Sequence, residues 1–370
     1  MKYYLVAGEA SGDLHGASLM KALKERDADA RFRFYGGDLM QEQGGTLVKH
    51  YADMAFMGFV EVLANLRKVL KNLKMCKADI LAWQPDVVVL IDFPGFNLKI
   101  AQYAKGEGFK TCYYISPKVW AWNQKRVLKI KRVVDHLFCI LPFEVDFYKK
   151  WGMKVDYVGN PLLDAIAAFK PDAGFLNTHH LEQKKIIALL PGSRKQEISR
   201  LLPDMLAVTG NFPHHQFVIA GAPSFKADYY SQFLNGQNIP IIFNATYNLL
   251  SHAEAAIVAS GTATLETALF HVPQVVVYKG GAISIAIARR LVSIKYISLV
   301  NLIMDAPVVK ELIQEDCNPR QIISELQPLL AGGEQRPKML ADYDVLDQLM
   351  GKPGASARVA ELIIGYLKDF

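Results

Sequence analysis

The sequence predicts an α/β protein with two Rossmann-like, doubly wound parallel-sheet domains. Short apolar runs alternate with amphipathic segments along the first half, as in YYLVA, VVVLI and HLFCILP. The same alternation restarts in the second half with IIALLPGS, FVIAGA and AAIVASG. A chain of 370 residues is also too long for one ordinary core. Because alternating strands and helices are typical of parallel sheets covered on both faces, we expect two such sheets.

A polar stretch, AFKPDAGFLNTHHLEQKK, separates the two halves and is typical of a linker. We therefore expect an N-terminal domain over residues 1–165 and a C-terminal domain over residues 166–345. Two domains joined in this way would face a cleft between their strand ends, where open α/β sheets bind ligands.

The last segment, GKPGASARVAELIIGYL, predicts a helix after a turn. Ser356 suits the N-cap, and Val359, Leu362 and Ile363 follow at helical spacing. We expect residues 346–370 to return to the first domain and pack against it.

The composition excludes several classes of protein. With 51% hydrophobic and 21% charged residues, the chain is a folded globular protein. Its four cysteines form no CxxC pair and its nine histidines form no HExxH pattern, so neither a metal site nor a disulfide framework is expected. No apolar run has the length of a signal peptide or a membrane span, which predicts a cytoplasmic location. The net charge of +6 indicates an anionic partner, either nucleic acid, a phosphorylated ligand or anionic lipid.

The segment DVVVLIDFPGFN, residues 86–97, places a carboxylate directly after a fully apolar run. Such a run predicts a strand buried on both faces, and Asp92 follows its carboxyl end. Ligands bind outside these ends in open α/β sheets, so Asp92 is a candidate for chemistry. The alternative is an aspartate that caps the following helix or turn.

The segment GEASGD, residues 8–13, follows the first strand but matches neither GxGxxG nor a P-loop. Glu9 and Asp13 place negative charge where a phosphate would sit. The loop therefore suits neutral donors such as sugar hydroxyls, unless it is only a glycine-rich turn.

The segment ALLPGSRKQEI, residues 188–198, predicts an anion site in the second domain. Gly192 allows close approach of the backbone, Ser193 can donate from its hydroxyl and amide, and Arg194 offers a bidentate fork. A solvated arginine at a loop tip is the alternative.

The segment VASGTATLETAL, residues 258–269, predicts a strand, a turn of small residues and a helix. Free amides at the helix start, with the hydroxyls of Ser260, Thr262 and Thr264, would hold a diphosphate. Glu266 does not have capping-box spacing from Ser260 or Thr262, so we expect it to accept hydrogen bonds from a ribose. Alternatively, Glu266 only complements the helix dipole.

The segment EVLANLRKVLKNLKMCK, residues 61–77, predicts a basic amphipathic helix. A helix of this kind can lie on an anionic membrane, where each cation adds about 1 kcal/mol. The alternative is a helix that buries its stripe on its own sheet. The expected membrane surface consists of apolar residues Phe56, Met57, Phe59, Leu66, Val69, Leu70 and Leu73 and cations Arg67, Lys68, Lys71 and Lys74.

Several segments together resemble the lipid-A-disaccharide synthases, which are glycosyltransferases of the two-Rossmann-domain GT-B type. In order along the chain these segments are GEASGDLHGA, MGFVEVL, IDFPGFN, YYISPKVWAW, LPFE, LLPGSRKQEI, VASGTATLETAL, ISLVNLI and GASARVAELI. The similarity covers essentially the whole chain. Asn160 departs from the pattern, since many members have histidine there.

The resemblance implies an inverting transfer reaction. UDP-2,3-diacylglucosamine would be joined to 2,3-diacylglucosamine 1-phosphate (lipid X), releasing UDP and forming the β-1',6-linked lipid A disaccharide 1-phosphate. Asp92 would be the general base, and Ser11 and Glu9 would help to position the sugars. The residues that would hold UDP are Gly192, Ser193, Arg194, Ser260, Gly261, Thr262, Ala263, Thr264, Glu266 and Asn301. A single displacement needs one base and an electrophilic site for the leaving diphosphate, so no metal or other cofactor is expected.

The acylated substrates imply peripheral association with the anionic cytosolic face of the inner membrane, and no nucleic-acid partner. A homodimer is compatible with the resemblance, although the sequence carries no interface signature.

The residues alone leave two other functions open. One is another UDP-sugar enzyme of the same architecture, such as a UDP-N-acetylglucosamine 2-epimerase or a peptidoglycan-type transferase. The other is a two-domain binding protein without catalysis.

Overall fold

The computed structural model describes residues 1–54, 66–181, 183–281 and 295–368. These residues form two compact units. Unit 1 comprises residues 1–164 and 352–370, and unit 2 comprises residues 165–351. The helix Arg336–Met350 therefore lies wholly in unit 2, although the expected domain boundary at residue 346 falls inside it.

Unit 1 contains a seven-stranded sheet in which all neighbouring strands are parallel. Its strands are β1 (Lys2–Ala7), β2 (Arg31–Gly36), β3 (Thr46–His50), β4 (Val87–Ile91), β5 (Lys110–Tyr114), β6 (His136–Cys139) and β7 (Asp156–Tyr157). Their order across the sheet is β3-β2-β1-β4-β5-β6-β7, so the direction of winding reverses between β1 and β4. The apolar run of β4 forms a central strand, and all five of its residues are fully buried.

Helices cover both faces of this sheet. They are α1 (Ala10–Lys24), α2 (Asp38–Glu42), α3 (Leu66–Trp83), α4 (Pro94–Gly106), α5 (Val127–Val133) and α6 (Phe143–Lys149). The next helix, α7 (Pro161–Ala168), contains the boundary between units 1 and 2. One core includes side chains from α3, α4 and α5, such as Cys76, Ile100 and Ile130. The other includes Leu19 and Leu23 of α1. Two separate cores explain why the strand between them is apolar at every position.

Unit 2 contains a six-stranded parallel sheet of the same kind. Its strands are β8 (Lys185–Leu190), β9 (His215–Gly221), β10 (Ile241–Phe243), β11 (Ala253–Ala259), β12 (Gln274–Tyr278) and β13 (Lys310–Ile313). Their order is β10-β9-β8-β11-β12-β13, and the winding reverses between β8 and β11. The described α-helices of unit 2 that follow α7 are α8 (Phe175–Thr178), α9 (Lys195–Ala207), α10 (Ala227–Ser231), α11 (Thr246–His252), α12 (Thr262–Leu269), α13 (Leu299–Met304), α14 (Pro319–Leu326) and α15 (Arg336–Met350).

Single turns of 3-10 helix occur in both units. They span Tyr51–Asp53, Val119–Ala121, Gln124–Arg126, Thr209–Asn211, Gln314–Asp316 and Gln327–Leu329.

The C-terminal helix, α16 (Ala355–Lys368), packs on α1 of unit 1. Val359, Ala360 and Ile363 are buried there in the same core as Leu19 and Leu23. The Asp164 carboxylate accepts hydrogen bonds from the backbone amides of Gly354 and Ala355, where α16 begins. The predicted fold class, two doubly wound parallel sheets with a C-terminal helix returning to the first, is confirmed.

Within the described residues, no helix has both the length and the hydropathy that crossing a bilayer requires.

Asp164 is expected to stabilise unit 1, because its carboxylate accepts hydrogen bonds from the amides at the start of α16. Asp164→Ala should lower the free energy of unfolding by about 0.5–2 kcal/mol, as for other lost helix caps. Urea denaturation followed by circular dichroism measures the change. Glu361→Ala, on the exposed side of the same helix, is the control and should change the free energy by less than about 0.5 kcal/mol. Equal stability of Asp164→Ala and the parent protein would contradict this role.

Candidate active site

The backbone turns sharply where β4 ends. Asp92 and Phe93 both adopt left-handed conformations, with φ of 44° and 49°, and α4 begins at Pro94. Phe93 is the N-cap of α4, and no side chain caps this helix. The Asp92 carboxylate therefore does not cap the following helix, which was the alternative interpretation of this residue. Its side chain is half-buried at the carboxyl end of the central strand.

Two buried side chains hold this turn. The Asn97 amide group donates to the backbone carbonyls of Val6, Ile91 and Asp92 at 3.1, 3.1 and 2.8 Å. The Tyr113 hydroxyl donates to the same Asp92 carbonyl at 2.5 Å. A left-handed non-glycine residue costs on the order of 1–3 kcal/mol, so two in succession need bonds of this kind to persist. The turn is therefore fixed by residues behind the site.

Gly8 makes room for this turn from the neighbouring strand. A Cβ atom at Gly8 would lie 2.2 Å from the Phe93 ring. Only a glycine allows the ring to rest against the backbone at this point.

The structure brings the three predicted catalytic residues together. β1 pairs with β4 in a register that aligns Ala7 with Ile91, so Glu9 and Asp92 leave adjacent strands at the same edge. Ser11 donates to Glu9 at 3.2 Å, and the negative charge of Glu9 acts on the Asp92 carboxyl. This is the point at which the winding of the first sheet reverses, where open α/β folds bind ligands.

The surroundings raise the pKa of Asp92 to about 6. Burial is the largest cause, and the negative charge of Glu9 acts in the same direction. The Lys118 cation and the Phe93 amide oppose the rise. A carboxyl with this pKa is ionised at neutral pH yet basic enough to take a proton from a hydroxyl in a transition state.

Asp13 is not part of this site. Its buried carboxylate accepts hydrogen bonds from the amides of Gly37, Leu39 and Met40, at 2.7, 3.1 and 3.1 Å. These bonds join the first turn of α1 to the start of α2, so the charge of Asp13 is compensated within the fold.

In unit 2, the turn after β8 is bonded to the carboxylate of Glu197, which lies in the following helix. Gly192 has φ of 100°, and a Cβ there would lie 2.5 Å from Glu197 Oε2. That same oxygen accepts from the amides of Ser193 and Arg194, and the Arg194 guanidinium donates to Glu197 Oε1 at 3.0 Å. The Ser193 amide, which was expected to be able to donate to a phosphate, therefore has an internal acceptor in this structure. The Arg194 side chain is 72% exposed and remains accessible to an anion.

The turn after β11 lies beside the turn after β8, because Val258 pairs with Leu190 in adjacent strands. Gly261 and Thr262 are exposed, and no side chain caps α12 at this end. Its first amides therefore face a position that suits an anion.

Two of the hydroxyls expected to bind phosphate instead donate within the protein. Ser260 donates to the carbonyl of Ile297 at 2.9 Å, and buried Thr264 donates to the carbonyl of Gly261 at 2.8 Å. These bonds shape the turn, and they leave Thr262 as its exposed hydroxyl.

Glu266 and Asn301 both have partners in the fold. Glu266 Oε1 accepts from the Tyr247 hydroxyl at 3.0 Å, and burial raises the pKa of Glu266. Asn301 is 1% exposed; its amide group donates to the Val309 carbonyl and to Glu311, and its oxygen accepts from the Val309 amide. Asn301 therefore connects α13 to the start of β13 and does not present a free group at the surface.

Sequence reasoning missed Asn97, Tyr113, Lys118 and Glu197. Glu197 had a detectable signal, because it lies three residues after Arg194 at capping-box spacing. Tyr113 and Lys118 are brought to the site by the pairing of β4 with β5, which the one-dimensional pattern does not reveal, and Asn97 by the helix that follows Asp92.

The basic helix α3 combines both interpretations that the sequence left open. Val69 and Leu73 pack against the core beneath the sheet, as a structural amphipathic helix would. Leu66 and Leu70, however, are 45% and 52% exposed among the cations Arg67, Lys68, Lys71 and Lys74. Phe56, Met57 and Phe59 lie outside the described residues.

Comparison with known proteins identifies the family of the chain. A family model for lipid-A-disaccharide synthetase matches residues 3–359. The chain belongs to this family. The lipid-A-disaccharide synthase of Syntrophus aciditrophicus is 40% identical over 372 residues, covering 98% of this chain and 97% of the relative. That of Trichlorobacter lovleyi is 38% identical and covers 99% and 97%.

Solved structures share the fold. The UDP-GlcNAc 2-epimerase of Neisseria meningitidis, solved with UDP-GlcNAc, superposes with a TM-score of 0.68 at 13% identity, covering 99% of this chain and all of the epimerase. This likeness supports the GT-B architecture. The much higher identity to lipid-A-disaccharide synthases favours that family of glycosyltransferases over the epimerase alternative.

Proposed function

We propose that the protein transfers the 2,3-diacylglucosaminyl group of UDP-2,3-diacylglucosamine to the 6-hydroxyl of 2,3-diacylglucosamine 1-phosphate. Asp92 takes the hydroxyl proton as the oxygen attacks the anomeric carbon. The bond between that carbon and the diphosphate breaks, and UDP leaves with the electron pair. The products are UDP and the β-1',6-linked lipid A disaccharide 1-phosphate, as expected for inversion in one displacement.

The observation that carries this proposal is the Asp92 turn. Its carboxylate follows a central strand at the reversal of winding and is held by Asn97 and Tyr113. Ser11 and Glu9 lie beside it and can bind the hydroxyls of the acceptor sugar. A general base must be held at a fixed place, and it must lie within hydrogen-bond reach of the proton that it removes. The bonds that hold the Asp92 turn supply the fixed place.

Unit 2 supplies the leaving-group site in this proposal. Arg194 and the uncapped start of α12 stabilise the diphosphate as negative charge develops on it. Thr262 and Ala263 offer amides there, with Gly261 allowing close approach. Ser193, Ser260, Thr264 and Asn301 shape these turns through the internal bonds described above, and Glu266, oriented by Tyr247, accepts hydrogen bonds from the ribose.

A membrane surface in unit 1 would bring the enzyme to its acylated substrates. Helices α3, α4 and α5 cover the same face of the first sheet. Exposed on them and the preceding turns are the apolar residues Leu66, Leu70, Trp122 and Leu128 and the cations Arg67, Lys71, Lys74, Lys99 and Lys125. Apolar side chains set among cations suit the headgroup layer of an anionic bilayer, which here would be the cytosolic face of the inner membrane.

Replacing Asp92 tests the base directly. Asp92→Asn should lower transfer by about 100- to 10,000-fold, because an amide cannot accept the proton. The affinity for UDP, measured by calorimetry, should be unchanged. In the parent enzyme the rate should fall as the pH drops through about 6, because the Asp92 pKa is raised to that value and protonation removes the base. A mass-spectrometric assay with both diacylated substrates gives these rates.

Asp86→Asn is the matched control, since Asp86 lies just before the amino end of the same strand and binds the Lys2 amide. It should retain near-parental transfer. Near-normal turnover by Asp92→Asn would remove Asp92 from the mechanism.

Replacing Arg194 tests the diphosphate site. Arg194→Ala should weaken UDP binding by roughly 10- to 100-fold, the range for losing hydrogen bonds to a charged group. Calorimetric titration with UDP measures the dissociation constant. Arg320→Ala, at an exposed position of the same unit, should bind like the parent protein. Unchanged affinity in Arg194→Ala would refute the assignment.

Charge reversal tests the membrane surface. The triple variant Arg67→Glu, Lys71→Glu and Lys74→Glu should move the protein from vesicles rich in phosphatidylglycerol into solution, because three attractive charges become repulsive. Co-sedimentation measures the bound fraction. The variant Lys21→Glu, Lys24→Glu and Lys368→Glu has the same net charge but alters α1 and α16, and it should still bind. Equal partitioning of the two variants would contradict the assigned face.

A further inference from the structure

The turn after β5 presents one charged residue from an otherwise buried segment. Ile115 has φ of 66°, which is costly for a β-branched residue, and the chain then crosses the end of the sheet. Ser116, Val119 and Trp120 are buried, whereas Lys118 between them is exposed. The sequence motif YYISPKVWAW therefore forms a fixed loop with a single cation at its tip.

Glu144 fastens this loop on both sides of Lys118. It lies in α6 and is 1% exposed. Its Oε1 accepts from the Ser116 hydroxyl at 2.5 Å and from the Trp120 indole at 3.2 Å. Its Oε2 accepts from the amide of Leu141 at 3.1 Å.

The loop lies next to Asp92. The Asp92 amide donates to the carbonyl of Tyr114, the last residue of β5, at 3.0 Å. Lys118 follows four residues later, and its positive charge acts on the Asp92 carboxylate. Glu144 thus bonds to the loop residues on both sides of Lys118, and the start of this loop is bonded to the Asp92 backbone.

We propose that Glu144 is a positioning residue for glycosyl transfer, because it clamps the turn that carries Lys118 and so keeps this cation beside the Asp92 carboxylate. The inference rests on the proposed role of Asp92 as the base.

A purely structural role explains this arrangement poorly. Burying a carboxyl group is unfavourable, and an apolar residue of similar size often stabilises a protein as well or better. Burial raises the pKa of Glu144 to about 7, although its hydrogen bonds oppose the rise. What the carboxyl provides, and an apolar side chain would not, is acceptors for Ser116 and Trp120 together. That geometry specifies the position of the loop.

The charged and titratable groups around both carboxyls are few. Asp92 faces Glu9 from the turn after β1, Lys118 from the turn after β5, and Tyr113 from β5. The groups that face Glu144 are Cys139 of β6, Tyr148 of α6 and Tyr157 of β7. Lys118 is the cation among those that act on Asp92, and it favours the ionised form of the base.

Loss of the clamp should change the pH dependence of transfer. If the clamp is lost, Lys118 no longer favours ionised Asp92, and the pKa of Asp92 rises. The acid limb of the pH profile of transfer then moves to higher pH. Lys118→Met should shift this limb upward by about one pH unit, as expected for losing a neighbouring opposite charge. Glu144→Leu removes the acceptor for Ser116 and Trp120, so it should shift the limb in the same direction, and the rate well below the limb should fall by up to about 10-fold.

The double variant Glu144→Leu with Lys118→Met makes the test specific. If Glu144 acts through Lys118, the acid limb of the double variant lies at the same pH as that of Lys118→Met alone. Ser116→Ala removes one bond to Glu144 with little change in volume, and it should shift the limb the same way even if Glu144→Leu does not fold. Asp135→Asn is the control: this carboxylate binds Thr111 at the other end of β5, so its loss should leave the limb in place.

A uniform loss of rate at all pH values in Glu144→Leu or Ser116→Ala, with the limb unmoved, would overturn the proposal. So would additive shifts in the double variant. The Asp92→Asn variant tests the proposed mechanism separately. Near-normal turnover by that variant would show that Asp92 is not the base, whatever the result for Glu144.

Discussion

The acceptor side of the proposed chemistry depends on how one peptide carbonyl is held. The carbonyl of Asp92 receives the Asn97 amide and the Tyr113 hydroxyl, and these bonds stabilise two successive left-handed residues. Without them the chain would relax toward ordinary backbone conformations, and the carboxylate would move away from the edge of the sheet. Asn97 also binds carbonyls at the ends of β1 and β4, so the turn is tied to both strands that flank the reversal of winding. The position of the acid is thus determined by the sheet itself.

The second unit meets a different constraint. The turn that was expected to bind phosphate satisfies its own amides with Glu197, which also pairs with Arg194. In the absence of ligand this internal carboxylate stabilises the start of α9 and neutralises the arginine. A diphosphate that binds Arg194 must compete with Glu197. The net binding free energy is therefore reduced by the cost of breaking the existing Arg194–Glu197 ion pair. Among the residues that the structure describes, no side chain caps the start of α12, so its amides are offered to a diphosphate without such a competitor.

The sequence predicted the fold well and the details of the site less well, for physical reasons. Buried parallel strands such as β4 can be recognised in the sequence, because every residue must be apolar when both faces of the sheet are covered. The positions of Asp92, Glu9 and Arg194 followed from the rule that loops at strand ends bind ligands. What the pattern could not reveal was which polar groups find partners inside the protein. Ser260, Thr264 and Asn301 looked available for UDP, but each donates a hydrogen bond within the fold. Asn97 and Glu144 have some partners nearby in the sequence, but the bonds of Asn97 to Val6 and of Glu144 to Ser116 and Trp120 join distant segments, and the pattern does not reveal them.

The two units use one architecture with opposite electrostatics. In both, the candidate groups follow the two strands between which the winding reverses, β1 and β4 in one unit and β8 and β11 in the other. Unit 1 places carboxylates there, Glu9 and Asp92, which repel phosphate and suit the hydroxyls of a sugar. Unit 2 places Arg194 and an uncapped helix start there, which attract phosphate. A transfer reaction needs a base for the nucleophile and positive charge for the leaving group, and in bulk water these would neutralise each other. Building them on separate sheets allows each charge to be tuned by its own surroundings, as the raised pKa of Asp92 shows.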